Sequence, residues 1–395
     1  MSNLLITANV LGYIGLFLIW LQVVFGSRHV FKYFTKDTVF INNLHKQIGI
    51  WGTLLIFVHP VLEMIIRLGD WSWLFIPRFG NTVELFISLG RFALVGLLII
   101  WFTSAIVREK IKWRPWKYIH LLSYPILFLA FVHVPYIGSF FEDYFYVQVV
   151  WFVLFLVAVF ILFFRLFKWG SVGKTVYVLS KKEMVGENII LVSFKPKNGN
   201  IVTANIGQHF YLQLGRFQSE HPFTIMEQDK TTGELTFGIR KLGKTFDRLI
   251  EKGEGGEIFI DGPYGVFTRE AWNNEDKIVI SGGIGMTPFL DLVRNYGSSI
   301  SYINCNRNIN EAVKRDVLMT SKKYIDVVDV YDGGGGENVR VGRISRDIIQ
   351  EVVGPNFLKE KYFLCGSPMF IFIVRDLILT LGVNKEQVYF EELGF

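Results

Sequence analysis

Five long apolar segments, at about 5–25, 40–66, 83–107, 117–137 and 146–167, crowd into the first 167 of 395 residues. Crossing a bilayer takes roughly 20 apolar residues of helix, and each segment is long enough. Residues 172–395, in contrast, read as an ordinary soluble composition. The whole-chain figures of 51% hydrophobic, 19% charged and 37 Phe therefore average two unlike parts, a membrane region and a globular region.

The connections set an orientation. "SRHVFKYFTK" (27–36) and "VREKIKWRPWK" (107–117) are strongly basic, and Arg165, Lys168 and Lys174 follow the fifth segment, whereas 67–84 is mixed and "FFEDY" (140–144) is acidic. Basic loops stay in the cytoplasm, so the expectation is an extracellular N-terminus, a cytoplasmic globular region and a multi-pass protein of the plasma membrane. The net charge of +6 comes from these loops. No soluble face clusters Lys and Arg, which argues against nucleic acid as a partner. Cys305 and Cys365 are the only cysteines, so no disulfide framework is implied. "MSNLLITANV" lacks a charged n-region and a clear cleavage site, so no removable signal peptide is read.

Ionisable groups are costly inside a membrane and mark function. "HKQIGIWGTLLIFVH" carries His45 and His59, fourteen residues apart, and "HLLSYPILFLAFVH" carries His120 and His133, thirteen apart. The second and fourth helices would run parallel, and each pair spans roughly 20 Å at about 1.5 Å per residue. Two levels result, His45 with His120 and His59 with His133, each offering the two imidazoles that a bis-histidine haem iron takes. At about 100° per residue, His59 falls within about 40° of the His45 face, while His133 falls about 140° from the His120 face. Pro125 is expected to kink the fourth helix and mend this, and Pro60 to reshape the end of the second. The alternative is four unrelated packed histidines. Zinc is a weaker rival, because neither level adds Cys or carboxylate ligands. His29 reads as a loop residue. Arg91, about two turns into the third helix, would either snorkel to the outer interface or meet an anion there, a haem propionate or an oxygen-derived species.

Residues 172 to about 268 show short alternating strands broken by turn residues, which predicts a small antiparallel barrel. From 275 onward strands alternate with helices, the rhythm of a parallel α/β nucleotide-binding region. "HPFT" (221–224) is expected between strands. "GIRKLGKTFDRL" (238–249) puts Arg240 at a strand end and Gly243 and Thr245 at a helix start, a pyrophosphate cradle. "SGGIGMTP" (281–288) follows an apolar strand, and Gly282, Gly283 and Gly285 would let a second pyrophosphate approach the backbone; a tight turn alone is the simpler alternative.

In their order, these stretches together with "LCGSP" resemble the ferredoxin–NADP reductase fold. With the two histidine spacings, the chain resembles the NADPH oxidase and ferric reductase superfamily in its compact bacterial form, over about residues 8–395. The resemblance implies three domains: a helical transmembrane domain with two b-type haems (1–170), an FAD-binding β-barrel (171–270) and an NAD(P)H-binding α/β domain (271–395). It implies haem ligation by His45, His59, His120 and His133. His221, Pro222, Phe223 and Thr224 would hold the flavin, and Arg240, Gly243, Lys244 and Thr245 the FAD pyrophosphate. Gly282, Gly283, Gly285, Thr287 and Pro288 would bind the pyridine nucleotide, Cys365 and Gly366 would sit beside the nicotinamide, and Phe395 would stack on the flavin. Arg307 could reach a 2′-phosphate, which allows NADPH without excluding NADH. The implied activity carries electrons from NAD(P)H through FAD and two haems to extracellular dioxygen, giving superoxide. Animal members have six membrane helices where five are counted here, and no EF-hand or proline-rich partner site is visible, so no obligate cytosolic activator is expected. The rival readings are a ferric or cupric chelate reductase on the same path, an electron-delivery subunit for a partner enzyme, and a transporter fused to a nucleotide sensor.

Overall fold

The computed structural model describes residues 3–185, 188–241, 243–330 and 338–391. They fall into two compact units, Met1–Lys168 and Trp169–Phe395. In the first, the apolar segments are five helices: α1 Asn3–Phe25, α2 Thr38–Ile66, α3 Thr82–Ile106, α4 Trp113–Ile137 and α5 Phe145–Trp169. Side chains start two of them. Asp37 accepts from the Phe40 N–H and Asn81 from the Glu84 N–H, both at 2.9 Å, relieving helix-end donors that have no partner within the helix. Leu16, Ile19 and Val23 of α1 pack with Leu127 and Phe131 of α4 and Ala158 and Ile161 of α5. The opposite side of α5 exposes Val153, Leu156, Phe160 and Phe163, a surface suited to lipid rather than water.

The prolines act differently in the two histidine helices. Pro125 has no N–H for the carbonyl of Leu121, and α4 is interrupted at Leu122, whose own N–H bonds back to Ile119 at 3.1 Å. This break changes the helical phase between His120 and His133. Pro60 lies inside α2, which continues to Ile66, where the sequence placed the end of that segment. Bilayer helices tolerate such a proline because neighbouring groups satisfy the freed carbonyl. A π-helical turn, Phe102–Ile106, closes α3. His29 is buried in a one-turn helix, Arg28–Phe31, and not in an open loop.

The second unit matches the fold expected from the sequence. Six antiparallel strands close a barrel in the order β1-β2-β5-β4-β3-β6: β1 Thr175–Val185, β2 Ile189–Pro196, β3 His209–Gln213, β4 Glu220–Gln228, β5 Leu235–Arg240 and β6 Glu257–Tyr264. Phe194, Phe210 and Phe237 fill its interior. "HPFT" lies within β4, not between strands. Pairing with β5 begins only at Ile225, so Pro222 faces a single neighbour, β3, and its missing N–H leaves no gap on the other side.

Six parallel strands follow, in the order β10-β9-β8-β7-β11-β12. They are β7 Lys277–Gly282, β8 Ile300–Asn306, β9 Lys323–Val328, β10 Val339–Val341, β11 Lys361–Cys365 and β12 Val388–Phe390. The chain winds outward from β7 to β10, then returns to start β11 on the other side of β7. Ligands of open α/β sheets bind at such a switch point, beyond the carboxyl ends of the strands. Deep in this sheet Asp326 accepts from Arg315 Nε and the Tyr324 hydroxyl, each at 2.6 Å. Removing the cation would leave a buried, uncompensated carboxylate. Arg315→Met is expected to cost about 3–5 kcal/mol, read as a loss of amide-exchange protection in β8 and β9 on the order of a hundredfold or more. Unchanged protection would show that this pair does not hold the sheet.

Candidate functional site

The four membrane histidines share one local arrangement. His59 Nδ1 meets the Ala8 carbonyl at 2.8 Å, His133 Nδ1 the Phe86 carbonyl at 2.8 Å and His45 Nδ1 the Gln22 carbonyl at 3.1 Å. His120 Nδ1 faces Ser104 Oγ at 3.2 Å. A carbonyl can only accept, so His45, His59 and His133 donate from Nδ1 and keep the Nε2 lone pair, as metal-ligating histidines do. The His45 and His120 ring centroids lie 5.9 Å apart. Two imidazoles each bonded at roughly 2 Å to one metal would stand roughly 6 Å apart, centre to centre. His59 is an electrostatic neighbour of His133. Among the described residues no group of three or more His, Cys, Asp or Glu could hold a metal, so the donor set is two nitrogens per level. That suits a metal whose other ligands come from a macrocycle.

Glycines make room for two of these rings and lie in ordinary contact with a third. The carbonyl of residue i in a helix projects towards the side chain of residue i+4, so an imidazole reaching that carbonyl must stand where the i+4 side chain would be. The residues four beyond Ala8, Gln22 and Phe86 are Gly12, Gly26 and Gly90. A Cβ on Gly90 would lie 2.5 Å from the His133 ring, on Gly12 3.1 Å from His59 and on Gly26 3.6 Å from His45.

Arg91 is buried against the 67–84 connection. Its guanidinium stands 4.7 Å over the Trp73 ring, and its Nε has no hydrogen-bond partner among the described residues. It lines a cavity of about 420 Å³ with Arg67, Trp73, Arg78, Asn81 and Glu84. Three cations against one carboxylate make this an anion-attracting space.

In the second unit the sheet's switch point brings two sequence motifs together. Gly282 ends β7, Gly283 and Gly285 follow with Thr287 and Pro288 in one 3₁₀ turn, and Cys365 ends β11 with Gly366 just beyond. A Cβ on Gly285 would lie 2.3 Å from the Cys365 carbonyl oxygen, so only glycine permits this approach. Gly283 has φ +57°, and a Cβ there would be 3.5 Å from Arg240 Nη1, which puts the barrel's arginine against the nucleotide turn. Gly243, at φ +69°, precedes the helix Lys244–Glu251 that contains Thr245. His221, Pro222 and Phe223 are half-buried and Thr224 is buried along β4. Arg307 is exposed just past β8. Phe395 lies outside the described residues.

Several neighbours of these groups went unread in the sequence. Ser104 and Trp116 beside His120 look like ordinary membrane-helix residues there, although the three glycines in apolar segments were a usable signal. Glu391, buried after β12, sits 3.6 Å from His209 Nδ1 and acts electrostatically on Cys365. Burial pushes the Cys365 thiol up to about 12.

Residues 11–131 match the family model described as "Ferric reductase like transmembrane component". The chain is 24% identical over 239 residues to a flavohemoprotein of Bacillus subtilis (strain 168), covering 55% of this chain and 59% of that protein. It is 24% identical over 206 residues to the propane 2-monooxygenase reductase component of Rhodococcus jostii (strain RHA1), covering 47% of this chain and 54% of that protein. It thus spans less than two thirds of either relative. Among solved structures, the flavohemoglobin of Malassezia yamatoensis with bound FAD and heme superposes with a TM-score of 0.51 at 17% identity, over 99% of this chain and 97% of that one; this is a likeness of fold. A ferric-reductase-like membrane segment is therefore joined to a flavin- and nucleotide-reductase fold.

Two measurements test this geometry. Alanine normally stabilises a helix relative to glycine by about 1 kcal/mol, yet the thermal unfolding midpoint is expected to fall most in Gly90→Ala and less in Gly12→Ala, with Gly26→Ala near wild type, because the added Cβ displaces the His133 and His59 rings. Wild-type midpoints in all three would refute the reading of the cradle. For Cys365, the pKa is raised above its ordinary value of 9.0, so the stabilising contribution of the neutral thiol is full below about pH 9 and is lost as pH climbs towards about 12. The rate of hydride loss from NADPH should show no Cys365-dependent step between about pH 6 and 9, so Cys365→Ser should keep the wild-type profile; a step abolished by that change would contradict this.

Proposed function

We propose that this chain is a transmembrane NAD(P)H oxidase of the compact bacterial type, multi-pass in the plasma membrane, with its N-terminus extracellular and its reductase half cytoplasmic. The observation that carries the proposal is the set of four imidazoles, each held at Nδ1 with Nε2 left for a metal, in a chain that also contains a nucleotide switch-point crevice. When bound, FAD would accept a hydride from NAD(P)H and release single electrons, which two haems would relay across the bilayer to dioxygen.

The chain's own residues would bind and orient. His45 and His120 would ligate the inner haem, and His59 and His133 the outer one. His221, Pro222, Phe223 and Thr224 would line the flavin, with Arg240, Gly243, Lys244 and Thr245 at its pyrophosphate. Gly282, Gly283, Gly285, Thr287 and Pro288 would receive the nucleotide, Cys365 and Gly366 would border the nicotinamide, and Phe395 would cover the flavin. Arg307 would meet a 2′-phosphate, so NADPH is the proposed donor, with NADH accepted. No side chain needs to serve as general acid or base, and no cytosolic activator is required.

The second reading is a ferric or cupric chelate reductase. It is favoured by the match of residues 11–131 and by the cationic cavity around Arg91, which would suit an anionic chelate. Purified protein with NADPH separates the two. The oxidase reading predicts cytochrome c reduction that superoxide dismutase abolishes, whereas dismutase-insensitive reduction of ferric chelates with negligible oxygen uptake would sink it. Arg91→Ala is expected to slow acceptor reduction by about tenfold, about 1.4 kcal/mol in the barrier. Unchanged turnover would remove Arg91 from the path.

A further inference from the structure

Three of the four histidine rings lean on a main-chain carbonyl, and the fourth does not. His120 Nδ1 faces the Ser104 hydroxyl oxygen at 3.2 Å, and the Trp116 indole N–H already donates to that same oxygen at 3.1 Å. The Trp116 ring also stacks on the imidazole, with centroids 4.9 Å apart and planes 26° apart, and the Arg108 guanidinium lies 4.3 Å over the indole. Ser104 stands in the π-helical turn Phe102–Ile106. Such a turn carries one residue more than the α-helix and re-aims the side chains around it, and it recurs at functional positions.

The acceptor at Nδ1 tunes what Nε2 can give a metal. A strong acceptor pulls on the Nδ1 proton, enriches the ring in charge and makes Nε2 a better donor, which favours oxidised iron. A carbonyl does this well. A hydroxyl oxygen already occupied by an indole donor does it poorly, and the nearby guanidinium disfavours added positive charge on the metal.

Resting on the haem reading above, we propose that Ser104 and Trp116 are positioning residues that hold the reduction potential of the His45–His120 haem above that of the His59–His133 haem. With haem bound, that difference would favour a single electron at the His45–His120 level over the other.

Spectroelectrochemical titration of the full chain tests this without relying on turnover. The wild type should show two one-electron steps, and the His133→Ala variant identifies which belongs to the His45–His120 level. Ser104→Ala should raise that midpoint. Trp116→Phe, which keeps a stacked ring but frees the hydroxyl from its donor, should lower it, and Ser104→Thr should leave it in place. The expected size is at least about threefold in the ratio of reduced to oxidised haem at fixed potential, about 30 mV for one electron. Midpoints that stay put, or that move in the same direction in Ser104→Ala and Trp116→Phe, overturn the proposal. Should Ser104→Ala fail to retain haem, the direction of the Trp116→Phe shift decides alone. A wild-type protein without haem bands refutes the haem reading itself, whereas haem present without these shifts refutes only the tuning.

Discussion

The hydrogen bond between each membrane imidazole and its acceptor is the constraint on which the rest of this molecule depends. An imidazole in a bilayer interior must satisfy its polar atoms or pay for desolvation. Here the protein meets Nδ1 of every ring, three times with a main-chain carbonyl and once with a hydroxyl. The three carbonyls used belong to α1 and α3, and the rings come from α2 and α4. Gly12 and Gly90 therefore let α1 approach α2 and α3 approach α4 closely, and packing clusters such as Leu16, Leu127 and Phe131 hold that arrangement.

The reductase half applies a related device. Its crevice forms where the sheet reverses direction, and the absent side chain at Gly285 lets the turn after β7 close on the end of β11. Arg240 reaches the same turn from the barrel, so a cation and a run of main-chain N–H groups converge as two phosphate-bearing cofactors would require. On the proposed reading, bound groups would supply the chemistry in both halves. The side chains supply position, tautomer and charge.

Much of this was legible in the sequence, for identifiable reasons. Long apolar runs marked the helices, because the bilayer sets a length that soluble proteins seldom need. Alternating strands marked the barrel, and Pro125 marked a break that periodicity at about 100° per residue required. "HPFT" misled because a proline inside a strand is rare, and the one-sided pairing of β4 that admits it is a tertiary fact. Arg91 could not be located from its depth alone, since its burial depends on Trp73 folding over it from the preceding connection. Ser104 was invisible because a π-helical turn has no compositional signature, and Glu391 because its partner His209 lies far away in sequence.

On the proposed reading, His45 with His120 and His59 with His133 would each hold one haem iron that pyridine nucleotide can reduce. The most direct measurement is the visible absorption spectrum of the purified chain, supplied with FAD, before and after anaerobic addition of NADPH. The account predicts low-spin b-type bands that sharpen on reduction and bleach when air is admitted, with half of the signal lost in His133→Ala. A spectrum without a Soret band, or one unchanged by replacing His45, His59, His120 or His133, would contradict it.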